Sequence, residues 1–141
     1  MLKIDTRHLN EISVHGERDY PHECCGLLLG HFEDKEKVVT EIFPISNARE
    51  EAAKRNRFLI TPAELLRGEE YAAAHEVDVI GFYHSHPDHP AVPSQYDLEH
   101  AWPVYSYIVV AIHGGKRESL RSWEMEGDRS RFTEEEICER N

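Results

Sequence analysis

The sequence predicts an α/β or α+β sandwich in which helices flank one sheet. Short apolar runs such as 26–29 and 107–112 are typical of buried strands. Between them, Thr61-Pro62-Ala63-Glu64 combines a helix N-cap, a first-turn proline and a capping-box glutamate. Strand and helix signals mixed in this order indicate packing around one sheet. A length of 141 residues without a linker suits a single domain over 1–141.

The N-terminal half contains a helix and two strands before a polar stretch. Asp5 or Thr6 can cap a first helix that ends before Pro21. One face of that helix carries Leu9, Ile12 and Gly16. The elements that follow are a buried strand at 24–32, a turn at 33–37, a strand at 38–45 and an exposed loop at 46–57.

The C-terminal half begins with a short strand at 58–60 and the helix capped by Thr61. That helix should bury Leu65, Leu66, Ala72 and Ala73. The remaining predicted elements are a strand at 77–83, a short helix from Ser94, strands at 105–113 and 119–126, and a last helix at 133–139. We expect the strand at 77–83 not to continue as far as Pro87, because proline lacks the N–H that pairing requires.

The composition argues against several classes of function. The chain carries 16 Lys and Arg against 27 Asp and Glu, a formal net charge of −11, which repels nucleic acids and anionic membranes. No apolar run approaches the roughly 18 residues of a membrane span, and the N-terminus lacks a signal-peptide core. Three cysteines, of which Cys24 and Cys25 are adjacent, favour a reducing environment. We therefore expect a cytoplasmic protein with no nucleic-acid or membrane partner.

The sequence contains ten histidines, and the densest group lies at 84–89. Side chains two apart on a strand share a face, so His84 and His86 can bind one metal ion. Asp97, in the first turn of the next predicted helix, can supply a third ligand. Two histidines and a carboxylate leave one tetrahedral position open, as in catalytic zinc sites. Iron, nickel and manganese accept the same donors, but hydrolysis needs no redox change and favours zinc. Alone, Ser94-x-x-Asp97 indicates a helix cap rather than a site.

Together, these residues resemble the signature of the JAMM (MPN+) zinc metalloproteases. The signature comprises His84-Ser85-His86-Pro87 followed by Ser94-x-x-Asp97, and an upstream glutamate before a Cys-Gly-Leu-Leu type of strand. Glu23, within the run 21–30, fits that glutamate. The resemblance covers roughly residues 5 to 125 and departs from the pattern at none of its five positions. It implies a mixed, curved sheet flanked by helices, similar to the cytidine-deaminase-like architecture.

The resemblance also implies a role for each residue. His84, His86 and Asp97 would bind one Zn²⁺ per chain, and Glu23 would act as the general acid and base. Ser94 would help to stabilise the oxyanion. Zinc lowers the pKa of its bound water towards ~7, and Glu23 would take a proton from that water and deliver it to the leaving amine. From the sequence position alone, Glu23 reads as a solvated carboxylate at a strand start.

Members of this family cleave amide bonds after the C-terminal glycines of ubiquitin-like proteins. A small, single-domain chain resembles the prokaryotic branch, which implies a ubiquitin-like sulfur-carrier substrate ending in Gly-Gly. The reaction would release an attached cysteine or remove the carrier from a lysine. The basic residues of segment 46–57 are a candidate docking site for an acidic carrier, and a solvated loop explains them equally well. These residues are Arg49, Lys54, Arg55 and Arg57.

Three other functions compete with this interpretation. A non-catalytic scaffold of the same fold usually lacks the ligand set, which is intact here. A zinc nucleoside deaminase needs a His-x-Glu and a Pro-Cys-x-x-Cys motif, and the sequence has neither. A non-enzymatic, zinc-stabilised interaction module would keep the metal and would not need Glu23. Outside the motif, we expect Cys24 and Cys25 on opposite strand faces as small core residues, and Trp102 and Tyr105 in core packing.

Overall fold

The computed structural model describes residues 1–47 and 60–141, which form eight strands and three helices. In chain order they are β1 (Leu2–Asp5), α1 (Thr6–Asp19), β2 (Cys25–Glu33), β3 (Glu36–Ile45), α2 (Pro62–Ala74), β4 (Asp78–Pro87), α3 (Gln95–His100), β5 (Ser106–His113), β6 (Lys116–Met125), β7 (Phe132–Glu135) and β8 (Ile137–Arg140). The predicted strand at 58–60 and the basic residues of segment 46–57 lie outside the described residues, apart from Ile60, which is not in a strand.

The strands form one mixed sheet in the order β7-β6-β5-β4-β2-β3-β1-β8. The pairs β4–β5, β1–β3 and β1–β8 are parallel, and the other neighbours are antiparallel. The two outermost strands, β7 and β8, are separated in the chain only by Glu136, whose carbonyl accepts a hydrogen bond from the Leu2 N–H at 2.9 Å. The sheet therefore curves until its ends meet, and the prediction of helices flanking a mixed sheet is confirmed.

Helices cover both faces of the central strand β2, which explains why its first six residues, 25–30, are all apolar and buried. On one face, Leu28 shares a buried cluster with Leu9 and Ile12 of α1. On the other, Leu27 packs with Ala72 of α2. Helix α2 approaches closely because Gly68 faces Leu27, where an added Cβ would lie 2.2 Å from the leucine Cδ1. Among the described residues, no helix is long and apolar enough to cross a membrane.

The helix starts follow the predicted signals, with differences in detail. The Thr61 side chain accepts a hydrogen bond from the Glu64 N–H at 3.2 Å, and Pro62 opens α2. Asp5 is the N-cap residue of α1 but makes no side-chain cap bond. The predicted buried face of α2 is partly wrong, since Leu66 and Ala73 are exposed. The helix covers the sheet through Gly68 and Ala72.

Strand β4 continues to Pro87, contrary to the prediction that it ends near Tyr83. The Ser85 N–H points towards Cys24, because it donates to the Cys24 carbonyl at 3.1 Å. A backbone N–H two residues later, at position 87, would point to the same side of β4, but proline has none. Strand β2 begins at Cys25 and offers no ladder partner there. On the other side, β4 stays paired with β5 as far as Pro87 and Ile112. Proline is tolerated where no neighbouring strand requires its N–H.

The predicted C-terminal helix at 133–139 is wrong, because this segment forms most of β7 and β8. Its glutamates favour a helix intrinsically, but tertiary pairing overrides them. Glu135 is buried, and its carboxylate accepts hydrogen bonds from Ser106 Oγ at 2.6 Å, Ser122 Oγ at 2.9 Å and Lys37 Nζ at 3.3 Å. Strand β1, whose Leu2 and Ile4 are buried on one face, was not predicted.

Candidate metal centre

Three predicted ligands converge where β4 ends and α3 begins. Nε2 of His84 lies 3.1 Å from Nε2 of His86, and each nitrogen lies 3.2 Å from Oδ2 of Asp97. Both histidines are buried. Among the described residues, this is the one group of three His, Cys, Asp or Glu side chains positioned to share a metal ion.

The spacing of the three atoms suits a small divalent cation. A tetrahedral ion with bonds of about 2.0–2.1 Å requires ligand atoms about 3.3 Å apart. The observed separations of 3.1 and 3.2 Å are close to that value. Two imidazole nitrogens and one carboxylate oxygen are also donors that zinc accepts. The residues present therefore fit zinc.

Neighbouring groups orient two of the three side chains. His86 Nδ1 lies 2.9 Å from the Pro90 carbonyl; since a carbonyl only accepts, Nδ1 carries the proton and Nε2 presents its lone pair to the site. Asp97 is held by a reciprocal capping box, in which the Ser94 N–H donates to Asp97 Oδ2 at 2.8 Å and the Asp97 N–H donates to Ser94 Oγ at 3.1 Å. The cap that the sequence predicted thus also directs the carboxylate.

The electrostatic environment keeps Asp97 ionised. Burial opposes its charge, but the electrostatic attraction of His84 and hydrogen bonds from His84 and from the Ser94 N–H outweigh that penalty. The pKa of this carboxyl group is therefore held well below its ordinary value. A carboxylate that is already ionised can bind a cation without first losing a proton.

Glu23 is only 4% exposed, so it is not the solvated carboxylate that its position alone suggested. In the β2–β4 register, Cys25 pairs with His84. Extending that antiparallel register by two residues places Glu23 opposite His86, on the face that carries both histidines. The Asn47 side chain donates to the Glu23 carbonyl at 3.0 Å. A pocket of about 450 Å³ lies beside Glu23 and includes Ser46 and Asn47 in its wall.

Between the two histidines, a serine hydroxyl accepts the hydrogen bond that a backbone carbonyl would accept in a regular β-sheet. Ser85 is fully buried, and its Oγ accepts a hydrogen bond from the Cys24 N–H at 2.8 Å. Its own N–H returns a bond to the Cys24 carbonyl. Ser85 therefore ties the histidine strand to the residue that follows Glu23. The prediction that Cys24 and Cys25 are small core residues on opposite faces is confirmed, since they belong to different buried clusters.

An apolar groove that the sequence did not predict extends from the neighbourhood of α3. It has a volume of about 900 Å³ and is formed by α2, β4 and the segment 102–105. A smaller cavity shares Leu65, Phe82 and Trp102 with it and reaches Tyr96 and His100 on α3. Trp102 is 60% exposed, so its predicted core role is wrong. Position 102 lies two residues after the end of α3, and this adjacency was a sequence signal for the groove.

A mixed sheet flanked by helices, with a His-His-Asp group at the end of an interior strand, defines a domain of the JAB1/MPN class. The sequence matches the model of the family described as prokaryotic homologs of the JAB domain over residues 5–126. The chain belongs to this family, and the resemblance found in the sequence is confirmed.

Two relatives illustrate the similarity in sequence. The desampylase of Haloferax volcanii is 36% identical over 106 residues, which cover 74% of this chain and 72% of that protein. The CysO-cysteine peptidase of Mycobacterium tuberculosis is 32% identical over 124 residues, which cover 87% of this chain and 82% of the peptidase.

Solved structures show the same fold. The solution structure of a Desulfitobacterium hafniense protein aligns with a TM-score of 0.86 and 27% identity, covering 99% of this chain and 93% of that one. The crystal structure of a JAB1/MPN domain protein from Archaeoglobus fulgidus aligns with a TM-score of 0.62 and 20% identity, covering 100% of this chain and 98% of that one. The fold class predicted from the motif is therefore confirmed.

Proposed function

We propose that this chain is a zinc-dependent peptidase or isopeptidase. Its substrate is a ubiquitin-like or sulfur-carrier protein, and it hydrolyses the amide bond after the carrier's C-terminal glycine. The convergence of His84, His86 and Asp97, together with the burial of Glu23, carries the proposal. The relatives named desampylase and CysO-cysteine peptidase support this class of substrate.

His84, His86 and Asp97 are the residues that would hold the ion. When bound, zinc supplies Lewis acidity that polarises a carbonyl group and makes a water nucleophile available near neutral pH. The Pro90 carbonyl keeps the His86 lone pair directed at the site, and the capping box does the same for the carboxylate of Asp97. This preorganisation lowers the cost of bringing the three ligands together.

Glu23 is the proposed general base and acid. It takes the proton from the attacking water and transfers it to the leaving amine. The β2–β4 register supports this role, since its extension from Cys25 and His84 brings Glu23 opposite His86. Ser94 accepts a hydrogen bond from the Asp97 N–H. Because a hydroxyl can accept and donate at once, Ser94 retains a proton for the developing oxyanion.

The carrier body docks in the apolar groove formed by α2, β4 and the segment 102–105. The groove shares Leu65, Phe82 and Trp102 with the cavity that reaches α3, and this supports docking near the helix that bears Asp97. Trp102 is held at two points, because its backbone N–H donates to Tyr107 Oη at 2.8 Å and the Arg129 guanidinium lies 4.6 Å from the centre of its ring. A fixed, exposed tryptophan is a typical interface hot spot.

Substitution of Glu23 by Gln tests the proposal against a non-enzymatic, zinc-stabilised module. We expect E23Q to bind one zinc per chain, like the wild type, and to lose roughly 10²–10⁴-fold in hydrolysis. The substrates are a ubiquitin-like carrier joined through its C-terminal glycine to cysteine or to a lysine side chain. Products are measured by mass spectrometry with and without a chelator.

Glu118, which is exposed on β6, provides the matched control as Glu118→Gln. This variant should cleave both conjugates at the wild-type rate. Full activity in E23Q would contradict the role of Glu23. Zinc binding without cleavage of either conjugate by the wild type would favour the binding module.

A further inference from the structure

We infer that Trp123 is a positioning residue for the candidate metal centre, acting through the loop at 88–93 that joins the two histidines to α3. The inference rests on the proposed zinc function but concerns a residue outside the motif. Trp123 lies on β6, and β5 separates that strand from the histidine strand β4.

The indole of Trp123 holds the loop directly. Its Nε1–H donates to the Ala91 carbonyl at 3.0 Å. Ala91 is 2% exposed and packs on Val109 and Ala111 of β5, and Trp123 covers the same cluster. The loop is therefore fixed by apolar contact below and by one directed hydrogen bond at its edge.

The residue before Ala91 orients a predicted ligand. The Pro90 carbonyl accepts the proton of His86 Nδ1 at 2.9 Å, which fixes the tautomer whose Nε2 faces the site. The Pro90 carbonyl belongs to the planar peptide that joins Pro90 to Ala91, and the Ala91 carbonyl belongs to the next peptide, so only the φ and ψ torsions of Ala91 separate the two acceptors. Ala91 is itself buried, so a shift of its carbonyl is accommodated by moving the adjacent peptide, which displaces the acceptor of His86. The path from Trp123 to the ligand contains two hydrogen bonds and the backbone of Ala91.

The sheet places Trp123 where this contact is possible. In the β5–β6 register, Trp123 pairs with Tyr107, which lies two residues before Val109 and therefore on the same face. In the β4–β5 register, Val109 pairs with His84 and Ala111 with His86. Both histidines and the support for their loop thus lie on one face of three neighbouring strands.

Two substitutions separate the hydrogen bond from the packing. Trp123→Phe keeps most of the aromatic volume and removes the N–H. Trp123→His loses more volume, but its Nε2 takes the place of the indole Nε1 and can donate. Loss of a residue that hydrogen-bonds a metal ligand commonly weakens metal binding about 10–100-fold. Trp123 acts on His86 only through the loop, so we expect an effect near the lower limit of that range. The zinc Kd, measured by competition with a chromophoric chelator, should rise about tenfold in W123F and about twofold in W123H.

Trp102→Phe is the matched control, because it makes the same chemical change at the exposed tryptophan and should leave the zinc Kd unchanged. Unfolding of the metal-free variants measures any cost to the fold separately. A wild-type Kd in folded W123F overturns the inference, as does weaker binding in W123H than in W123F, since packing would then be responsible. Failure of the wild type to bind zinc would instead contradict the proposed function.

The wild-type protein offers a test that needs no substitution. Coupling between two sites is reciprocal, so bound zinc must stabilise the Trp123 hydrogen bond as much as that bond favours zinc. The chain has two tryptophans, whose indole protons can be followed separately by NMR. Zinc should slow solvent exchange of the Trp123 indole proton about tenfold and leave that of Trp102 unchanged. An unchanged exchange rate at Trp123 overturns the inference.

Discussion

Tyr20 donates a hydrogen bond from its hydroxyl to Oδ2 of Asp88, across 2.7 Å. Tyr20 lies three residues before Glu23, and Asp88 lies two residues after His86. Oδ1 of Asp88 accepts the Gly114 N–H at 2.8 Å, which also fixes the carboxylate to the turn between β5 and β6. The β2–β4 ladder has already ended at this point. The bond therefore joins the segment of the proposed base to the strand of the proposed ligands beyond the ladder.

Tyr20→Phe should lower kcat about fivefold and leave the zinc Kd unchanged. The substitution removes the bond to Asp88 and keeps the ring, so Glu23 loses part of its fixed position while the ligands keep theirs. Small misplacements of a catalytic group are costly because proton transfer requires close approach. Steady-state kinetics on a carrier conjugate and zinc competition measure the two effects.

Tyr71→Phe is the control for that experiment, because it also removes a tyrosine–carboxylate hydrogen bond, to Glu41, on the opposite side of β2 from β4. Both variants should lose about 1 kcal/mol of unfolding free energy, and only Tyr20→Phe should lose kcat. Equal kcat values in the two variants would show that the Tyr20 bond is merely structural.

His84→Ala should lose about one zinc per chain by metal analysis and should lose the stabilisation that zinc confers. A ligand that binds only the folded state raises the unfolding free energy by about 4 kcal/mol at 1,000 times its Kd. The wild type should show a zinc-dependent rise in Tm, and the variant should show none. His100→Ala is the control, since His100 is exposed and its Nδ1 contacts the Tyr96 carbonyl. Loss of zinc in both variants would place the ion elsewhere.

The convergence of the three candidate ligands could be predicted from the sequence because the signals that bring them together are local. His84 and His86 lie on one face because side chains two residues apart on a strand point the same way. Ser94 and Asp97 meet because a capping box joins two residues that are three apart. The place of Glu23 depends instead on the register between β2 and β4. Spacing alone does not contain that register, so the family resemblance supplied it.

The last strands could not be predicted for a similar reason. Glu135 and its neighbours favour a helix by propensity, and their pairing depends on partners distant in sequence. Glu135 contacts Ser106, Ser122 and Lys37, between 13 and 98 residues away along the chain. By contrast, the alternation in Leu2–Asp5 was a usable signal for β1, although a four-residue run is short.

Asp97→Asn should separate metal binding from helix capping. The amide oxygen can still accept the Ser94 N–H, so α3 keeps its start, but the neutral group is a poor zinc ligand. We expect the zinc Kd to rise by more than the roughly 100-fold that loss of an outer partner can cause. Ser94→Ala should show the reverse, with about 1 kcal/mol lost from the cap and less than about a tenfold change in Kd. Zinc titration and urea unfolding of both variants decide between the two roles.

The buried thiol of Cys24 should make the fold sensitive to alkali. Burial raises its pKa from 9.0 to about 12. An unfolded chain loses this proton near pH 9 while the folded chain keeps it, so the contribution to stability is complete below pH 9 and disappears by about pH 12. The slope reaches about 1.4 kcal/mol per pH unit. In urea unfolding between pH 8 and 11, the unfolding free energy of Cys24→Ala should depend less steeply on pH than that of the wild type.

Trp102→Ala tests the apolar groove as the carrier's docking site. An exposed tryptophan that is already held by Tyr107 and Arg129 loses little freedom when a partner covers it. Its removal should raise KM for a complete carrier conjugate at least about tenfold, the scale of a modest hot spot, with kcat and the zinc Kd near their wild-type values. Val14→Ala removes an exposed apolar side chain from α1 on the other side of the sheet and should change nothing. A lower kcat with an unchanged KM in Trp102→Ala would mean that this side chain supports α3 and Asp97 rather than the substrate.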